Sequence, residues 1–133
     1  MKTFLDSGVL LLAWRGGSPR AAKAKEILAS DSREFLTSDN VRLELLPKPT
    51  FEKRRAEVGF FNEHFDQADR CEPFSAALGL AALALAGKYG LAAGDALNLA
   101  AAIRLGADEF ITSELPGKPM FRVNELRVVS LHE

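Results

Sequence analysis

Cysteine and histidine are scarce in this chain of 133 residues, and their scarcity excludes two kinds of site. Cys71 is the only cysteine, so no disulfide can form within the chain, and we expect a cytoplasmic location. His64 and His132 are the only histidines, and neither has a Cys or His at metal-ligand spacing. A zinc site is therefore not expected. His64 falls in a polar helical stretch and is predicted to lie at the surface.

The chain also lacks a long hydrophobic run and an excess of charge of one sign. Its longest apolar run, residues 74–86, is too short for a membrane span and suits a buried helix. Asp6 comes too early for a signal peptide. The net charge of -1 does not by itself indicate nucleic-acid binding. Basic residues do cluster locally, either as solvated helix faces or as phosphate-binding patches, at Arg15, Arg20, Lys23 and Lys25 and at Lys48, Lys53, Arg54 and Arg55.

What the sequence does contain is an alternation of short apolar strands with helices. Such alternation predicts an α/β fold with a mostly parallel sheet covered on both faces, and the chain's length predicts one domain over residues 1–133. The predicted strands are residues 2–5, 34–37, 67–72, 109–112 and 127–131. The predicted helices are residues 18–29, 40–46, 50–65, 73–86 and 93–105.

Two of these helices carry predictions about burial. The helix over residues 50–65 is amphipathic, and Phe51, Val58, Phe61 and Phe65 are predicted to form its buried side. The leucines of the helix over residues 73–86 surround it instead of forming one stripe. We therefore expect that helix to be largely buried, against the sheet or across a dimer interface.

Four acidic residues stand at or near the ends of these elements, and each also has an ordinary explanation. Asp6 directly follows the first strand but could merely cap the next helix. Glu44 sits among apolar residues but could pair with Lys48. Asp95, near the start of a helix, could be a cap, and Glu114, after a strand, could be a surface turn residue.

Taken together, the four carboxylates suggest a metal site. A doubly wound sheet could bring strand ends and the following helices to one rim, where crowded carboxylates repel one another and a divalent cation compensates them. Ligation by oxygen alone, without His or Cys, favours Mg²⁺ or Mn²⁺. These ions suit phosphodiester hydrolysis, because they activate water and neutralise the phosphate.

Three segments of the sequence resemble the acidic motifs of the PIN-domain family. Residues 87–102, which contain Asp95, are similar to the pattern around its third acidic residue, and residues 103–112 continue as that family does. Residues 4–11, with Asp6, resemble its first motif, and residues 41–45, with Glu44, its second. The order and spacing match over essentially the whole chain.

This resemblance implies a three-layer α/β/α sandwich with a five-stranded parallel sheet, and cleavage of RNA with Mg²⁺ or Mn²⁺. Asp6, Glu44 and Asp95 would bind the metal and Glu114 would complete the site, with the hydroxyls of Ser7 and Thr112 orienting carboxylates or water. Bacterial members of this size resemble VapC-type toxins, which implies an antitoxin partner and a homodimer. The chain departs from the family in having Glu114 where an aspartate is usual.

Two other functions compete with a metal-dependent ribonuclease. One is a catalytically weak PIN-like module that binds RNA or a partner protein, and loss of metal-dependent cleavage on Asp95→Asn would separate it from an enzyme. The other is a nucleotide-binding or phosphatase-like domain. That domain would need a glycine-rich loop after the first strand or a second aspartate two residues after Asp6. Gly16 and Gly17 come too late, and position 8 is glycine.

Overall fold

The computed structural model describes residues 1–132, and within them five strands form one all-parallel sheet in the order β3-β2-β1-β4-β5. The strands are β1 (Lys2–Leu5), β2 (Glu34–Ser38), β3 (Arg70–Glu72), β4 (Glu109–Thr112) and β5 (Arg127–Ser130). The helices are α1 (Ser7–Arg15), α2 (Pro19–Leu28), α3 (Asp39–Leu45), α4 (Pro47–Phe51), α5 (Arg55–Gln67), α6 (Ala76–Tyr89) and α7 (Ala93–Arg104), followed by a short 3-10 helix (Pro119–Arg122). The predicted three-layer α/β/α architecture is confirmed.

Serine caps explain where three of the helices begin. The hydroxyls of Ser18, Ser38 and Ser75 accept the backbone N–H of the third residue beyond them, at 3.1, 3.1 and 3.0 Å. Each bond satisfies one of the amide groups that have no partner within the first helical turn. At the other end of α6, Gly90 has a φ of 69°, the left-handed conformation that commonly ends a helix.

The two central strands, β1 and β4, form the middle of the core. Every residue of β4 is buried, as expected for a parallel strand that has helices on both faces. The rings of Phe4 and Phe110 stack between the two strands with centroids 5.4 Å apart. Helices α6 and α7 pack against each other, and buried alanines at positions 100–102 let α7 approach its neighbours closely.

The strand order places the switch point of the sheet between β1 and β4. From β1 the chain adds β2 and β3 on one side, then crosses back through α6 and α7 to add β4 and β5 on the other. Because such crossovers are right-handed, the helices before and after this reversal lie on opposite faces of the sheet. Ligands of open α/β sheets bind at the carboxyl ends of the strands flanking such a point.

Two predictions about burial were wrong at least in part, and a third, for α6, is met by half of its leucines within one chain, while burial across a dimer stays a prediction. The helix predicted for residues 50–65 is broken, because Lys53 has a φ of 57°, and Phe51 is 88% exposed instead of buried. His64, predicted at the surface, is buried against Phe35 and Phe65. In α6 the leucines divide into two buried and two exposed residues, so the helix does have one apolar face toward the core. Leu78 and Leu85 are buried, and Leu80 and Leu83 are exposed.

Within residues 1–132 no single helix is long and apolar enough to cross a membrane. Helices α6 and α7 reach the required length and composition only together, across a bend of 114°.

Candidate active site

The carboxyl ends of β1 and β4 meet at the switch point of the sheet and form the floor of the candidate site. Leu5 pairs with Ile111, and the N–H of Asp6 donates to the Ile111 carbonyl oxygen at 2.9 Å. Asp6 therefore follows β1 at the same level at which Thr112 ends β4. The hydroxyl of Thr112 donates to Asp6 Oδ2 at 3.0 Å and accepts the N–H of Glu114 at 3.1 Å.

Asp6 is both the cap of α1 and the most buried carboxylate of the site. Its Oδ1 accepts the N–H of Ser7 at 3.0 Å, so the capping explanation is correct but incomplete. Burial raises the pKa of Asp6 from its ordinary value of 3.8 to about 6, and the negative charges of Glu44 and Asp95 add to the rise. The hydrogen bond from Thr112 opposes it. A buried carboxylate with like charges around it is typical of a site that binds a cation.

Asn98, a buried residue of α7, links the carboxylates of Asp6 and Glu44. Its Nδ2 donates to Glu44 Oε1 at 2.7 Å and lies 3.3 Å from Asp6 Oδ1. Its Oδ1 accepts from Asn40 Nδ2 at 3.0 Å, which fixes the orientation of the amide. Sequence reasoning assigned Asn98 no role. The signal available was a polar amide one helical turn after Asp95, on a helix otherwise rich in Ala and Leu.

Glu44, on α3, is exposed as a residue but directs its carboxyl end into the site. A Cβ on Gly94 would lie 3.3 Å from Glu44 Oε2, so glycine at that position leaves room for the carboxylate beside α7. Burial of the carboxyl end raises the pKa of Glu44, and the charge of Asp95 contributes, while hydrogen bonds from Asn98 and Ser7 oppose the rise. The alternative pair with Lys48 is not formed among residues 1–132.

Asp95 lies half-buried in the first turn of α7 and does not cap it. The cap residue is Ala92, which has no side-chain hydrogen bond. Burial raises the pKa of Asp95, and the negative charge of Glu114 adds to the rise. Glu114 itself is exposed on the loop after β4. The four carboxylates are thus linked by mutual repulsion, from Asp6 and Glu44 through Asp95 to Glu114.

The donor chemistry of the cluster fits a hard divalent cation. Among residues 1–132, none of the four carboxylates forms an ion pair with a Lys or Arg, and the polar groups that contact them are hydroxyls, amides and backbone N–H groups. Mg²⁺ is a hard cation that proteins bind through carboxylate oxygens, with water completing its coordination. As placed, however, no three Asp, Glu, His or Cys side chains of the described residues are close enough to hold one ion between them.

Comparison with solved structures places the fold among the toxins of bacterial toxin-antitoxin complexes. A toxin-antitoxin complex from Klebsiella pneumoniae matches with a TM-score of 0.76 and 20% identity over 98% of both chains. VapBC2 from Rickettsia felis, bound to a DNA fragment from its promoter, matches with a TM-score of 0.73 and 18% identity, also over 98% of both chains.

A third solved structure is that of a toxin whose description includes what it cleaves. VapC20 from Mycobacterium tuberculosis, a Sarcin-Ricin loop cleaving toxin, matches with a TM-score of 0.67 and 22% identity, over 94% of this chain and 98% of that one. No curated protein matches the sequence significantly. The family model of the PIN domain matches residues 3–114, a span that includes all four carboxylates. This chain belongs to the PIN domain family.

Proposed function

We infer that this protein is an endoribonuclease that hydrolyses RNA phosphodiester bonds with the help of Mg²⁺ or Mn²⁺. The observation that carries this inference is the cluster of Asp6, Glu44, Asp95 and Glu114 at the switch point of the sheet. The elements that supply them are far apart in the sequence, and the repulsion within the cluster has no compensating cation among the side chains of residues 1–132. Membership of the PIN family supports the same chemistry.

Asp6, Glu44 and Asp95 would hold the metal, and Glu114 would complete the site from the loop after β4. When bound, such an ion lowers the pKa of a coordinated water and neutralises charge on the phosphate. Glu44 lies at an exposed position of α3 and Asp95 is half-buried, and their carboxylates would have to move closer to Asp6 to gather around one ion. Asp6 is held in place by Thr112 and Ser7 and would be the fixed ligand.

The residues around the carboxylates orient them for this role. Asn98 holds Asp6 and Glu44 side by side, and its amide is itself fixed by Asn40. Thr112 presents its hydroxyl to Asp6 while its oxygen fixes the backbone of Glu114. Groups that orient metal ligands in this way change metal affinity or activity by about 10–100-fold when they are removed.

The solved structures support a further assignment, to the toxin of a toxin-antitoxin pair, and we expect it to act in the cytoplasm. VapC20 is named for cleaving the Sarcin-Ricin loop, and the other two structures contain an antitoxin. We therefore expect an antitoxin protein as a partner of this chain. We also expect the whole chain to act as one PIN-like domain. A homodimer is also expected, with Leu80 and Leu83 on α6 supplying exposed apolar surface. Light scattering of the purified chain tests the dimer.

A catalytically weak PIN-like module for RNA or partner-protein binding is the second candidate. It is favoured by Glu114 in place of the aspartate usual in the family, since the longer side chain displaces the carboxylate by about a bond length.

Incubation of the purified protein with structured and single-stranded RNA, in Mn²⁺ or in EDTA, separates the two candidates. An enzyme cleaves only with the metal and loses cleavage on Asp95→Asn, whereas Glu26→Gln, an exposed carboxylate on α2, keeps it. Cleavage that survives EDTA, or equally survives Asp95→Asn, would contradict the proposal that the RNA is cut with a metal ion held by Asp95.

A further inference from the structure

A cavity of about 220 Å³ with both polar and apolar walls adjoins the carboxylate cluster on the side of α1 and α2. It is lined by Gly8, Leu11, Leu12, Arg15, Arg20 and Ser113. Two of these residues form the wall shared with the carboxylates: Gly8 comes two residues after Asp6, and Ser113 lies between Thr112 and Glu114. The cavity therefore opens beside the candidate metal site. The charged residues that line it are two arginines, Arg15 and Arg20.

The helix geometry of α1 explains why Arg15 faces the same cavity as Gly8. Positions 8, 11, 12 and 15 share one face of an α-helix, so the start of α1 borders the carboxylates and its last turn carries the arginine. Gly16 and Gly17, with φ of 65° and 78°, then turn the chain into α2. That turn brings Arg20, in the first turn of α2, to the opposite side of the cavity.

The contact between α1 and the loop after β4 is unusually close. A Cβ on Gly8 would lie 2.2 Å from Ser113 Oγ and 3.3 Å from Ser113 Cβ. Glycine thus allows the Ser113 hydroxyl to reach the rim of the cavity. A second contact fixes Arg20, because its Nη1 donates to the imidazole ring of His132, at 2.7 Å from Nε2 and 3.0 Å from Nδ1. The cavity is therefore built from α1, α2 and the loop after β4, and His132, after β5, contacts Arg20.

The charges in this cavity are not neutralised by the protein. Within residues 1–132, neither Arg15 nor Arg20 forms an ion pair with an acidic side chain. The second basic cluster of the sequence differs in this respect. There, Arg54 pairs with Glu52 and Glu57 at 3.1 and 3.2 Å, and the groove that it lines is not formed by residues of the carboxylate site.

We propose that Arg15 and Arg20, together with the Ser113 hydroxyl, bind one backbone phosphate of the RNA, next to the phosphate that is cleaved. This inference rests on the proposed function and deepens it, since it states on which side of the carboxylates the RNA strand lies. Arginine suits the role because its planar guanidinium donates two parallel hydrogen bonds to a phosphate. Arg15 and Arg20 are positioning residues, because the phosphate that they hold does not react.

The test compares two double variants that remove the same charge. Arg15→Ala/Arg20→Ala empties the cavity of its cations, and Lys53→Ala/Arg55→Ala removes two positive charges from the second basic cluster. Fluorescence anisotropy with a 12-nucleotide single-stranded RNA in EDTA measures binding without cleavage. We expect the Kd of the first variant to rise about tenfold, as for the loss of hydrogen bonds to a charged group. The plot of log Kd against log salt should become less steep by about 0.7, the value for one phosphate on a single strand. The second variant should stay within twofold of wild type.

Arg15→Lys/Arg20→Lys is the control for a merely structural effect, because it keeps both charges. Its plot of log Kd against log salt should have the wild-type slope. In cleavage with Mn²⁺, the alanine variant should raise KM about tenfold with kcat within twofold, since a group that stays bound throughout contributes equally to ground and transition states. Equal weakening by both alanine variants, or a loss confined to kcat, would overturn the proposal. The wild-type protein could instead bind RNA through these arginines and yet never cleave it. That outcome would overturn the proposed ribonuclease and leave this phosphate site standing. If wild type and Arg15→Ala/Arg20→Ala both cleave RNA with the same KM, the phosphate site is overturned and the proposed ribonuclease stands.

Discussion

Replacing Asp6 by Asn should stabilise the metal-free protein, by an amount that depends on pH. Asp6 is 7% exposed and has a pKa of about 6 instead of the ordinary 3.8. Between these two values the folded chain holds a proton on Asp6 that the unfolded chain has lost. The folded state is therefore favoured at low pH, and this contribution is lost as the pH rises through about 6.

The size of the effect follows from the difference between the two pKa values. At about 1.4 kcal/mol for each pKa unit, the rise from 3.8 to about 6 corresponds to about 3 kcal/mol above pH 7. Asn keeps the geometry, because its oxygen can accept from Ser7 and Asn98 while its NH₂ group donates to the hydroxyl oxygen of Thr112. For a chain of this length, about 3 kcal/mol amounts to roughly 10 °C in Tm.

The assay is thermal melting of wild type and Asp6→Asn in EDTA at pH 4, 5, 6, 7 and 8. Other groups titrate in this range, but they are present in both proteins, so the difference in Tm isolates Asp6. We expect a small difference at pH 4 that grows through pH 6 and levels off above pH 7 in favour of the variant. A constant difference across the series, or a variant that is less stable at pH 8 than at pH 4 relative to wild type, would refute the reasoning.

Further predictions concern three buried polar groups and one exposed glycine. Burial lowers the pKa of His64 from 6.5 to about 4. The free energy of unfolding should therefore fall by about 3 kcal/mol as the pH drops from 6.5 to 4, because the unfolded chain takes up a proton that the folded chain does not. In His64→Leu, urea titrations should show that this acid sensitivity is gone. Asn98→Ala should reduce metal-dependent cleavage about 10–100-fold in a steady-state assay while the circular dichroism spectrum stays native. Arg33→Ala removes the cation 3.0 Å from the buried carboxylate of Glu109 and should cost about 3 kcal/mol in the free energy of urea unfolding. Gly79→Ala, on α6 where an added Cβ meets nothing within 4 Å, should instead add about 1 kcal/mol.

The sheet was predictable from the sequence because its strands are short apolar runs with turn residues at both ends. The bounds of β1 and β4 agree with the prediction, and those of β2 and β5 differ by one residue at one end. The helices were harder, since periodicity does not reveal where a chain turns. The left-handed Lys53 separates α4 from α5 and leaves Phe51 in solvent. No residue pattern distinguishes that arrangement from one continuous amphipathic helix.

The candidate site was predictable as far as its carboxylates, because parallel strands end at one edge of the sheet. That rule placed Asp6 and Glu114, and helices that follow the strands place Glu44 and Asp95 at the same rim, a grouping that the family resemblance supports. Asn98 escaped notice, since its function lies in partners 92 and 54 positions away, and such contacts exist only in the fold. His64 was misplaced for the same reason: the aromatic rings that bury it come from β2 as well as from its own helix.

The central claim is that the carboxylate cluster binds a divalent cation, and metal-linked thermal melting tests it most directly. Wild type, Asp95→Asn and the surface control Glu26→Gln are melted in EDTA and in Mn²⁺. At about a hundred times its dissociation constant, an ion that binds only the folded chain stabilises it by about 2.7 kcal/mol, or roughly 9 °C in Tm. Wild type and Glu26→Gln should show this rise, whereas Asp95→Asn should be at least as stable as wild type in EDTA and respond less to the metal. An equal response to Mn²⁺ in all three proteins would contradict the claim that Asp95 is a metal ligand.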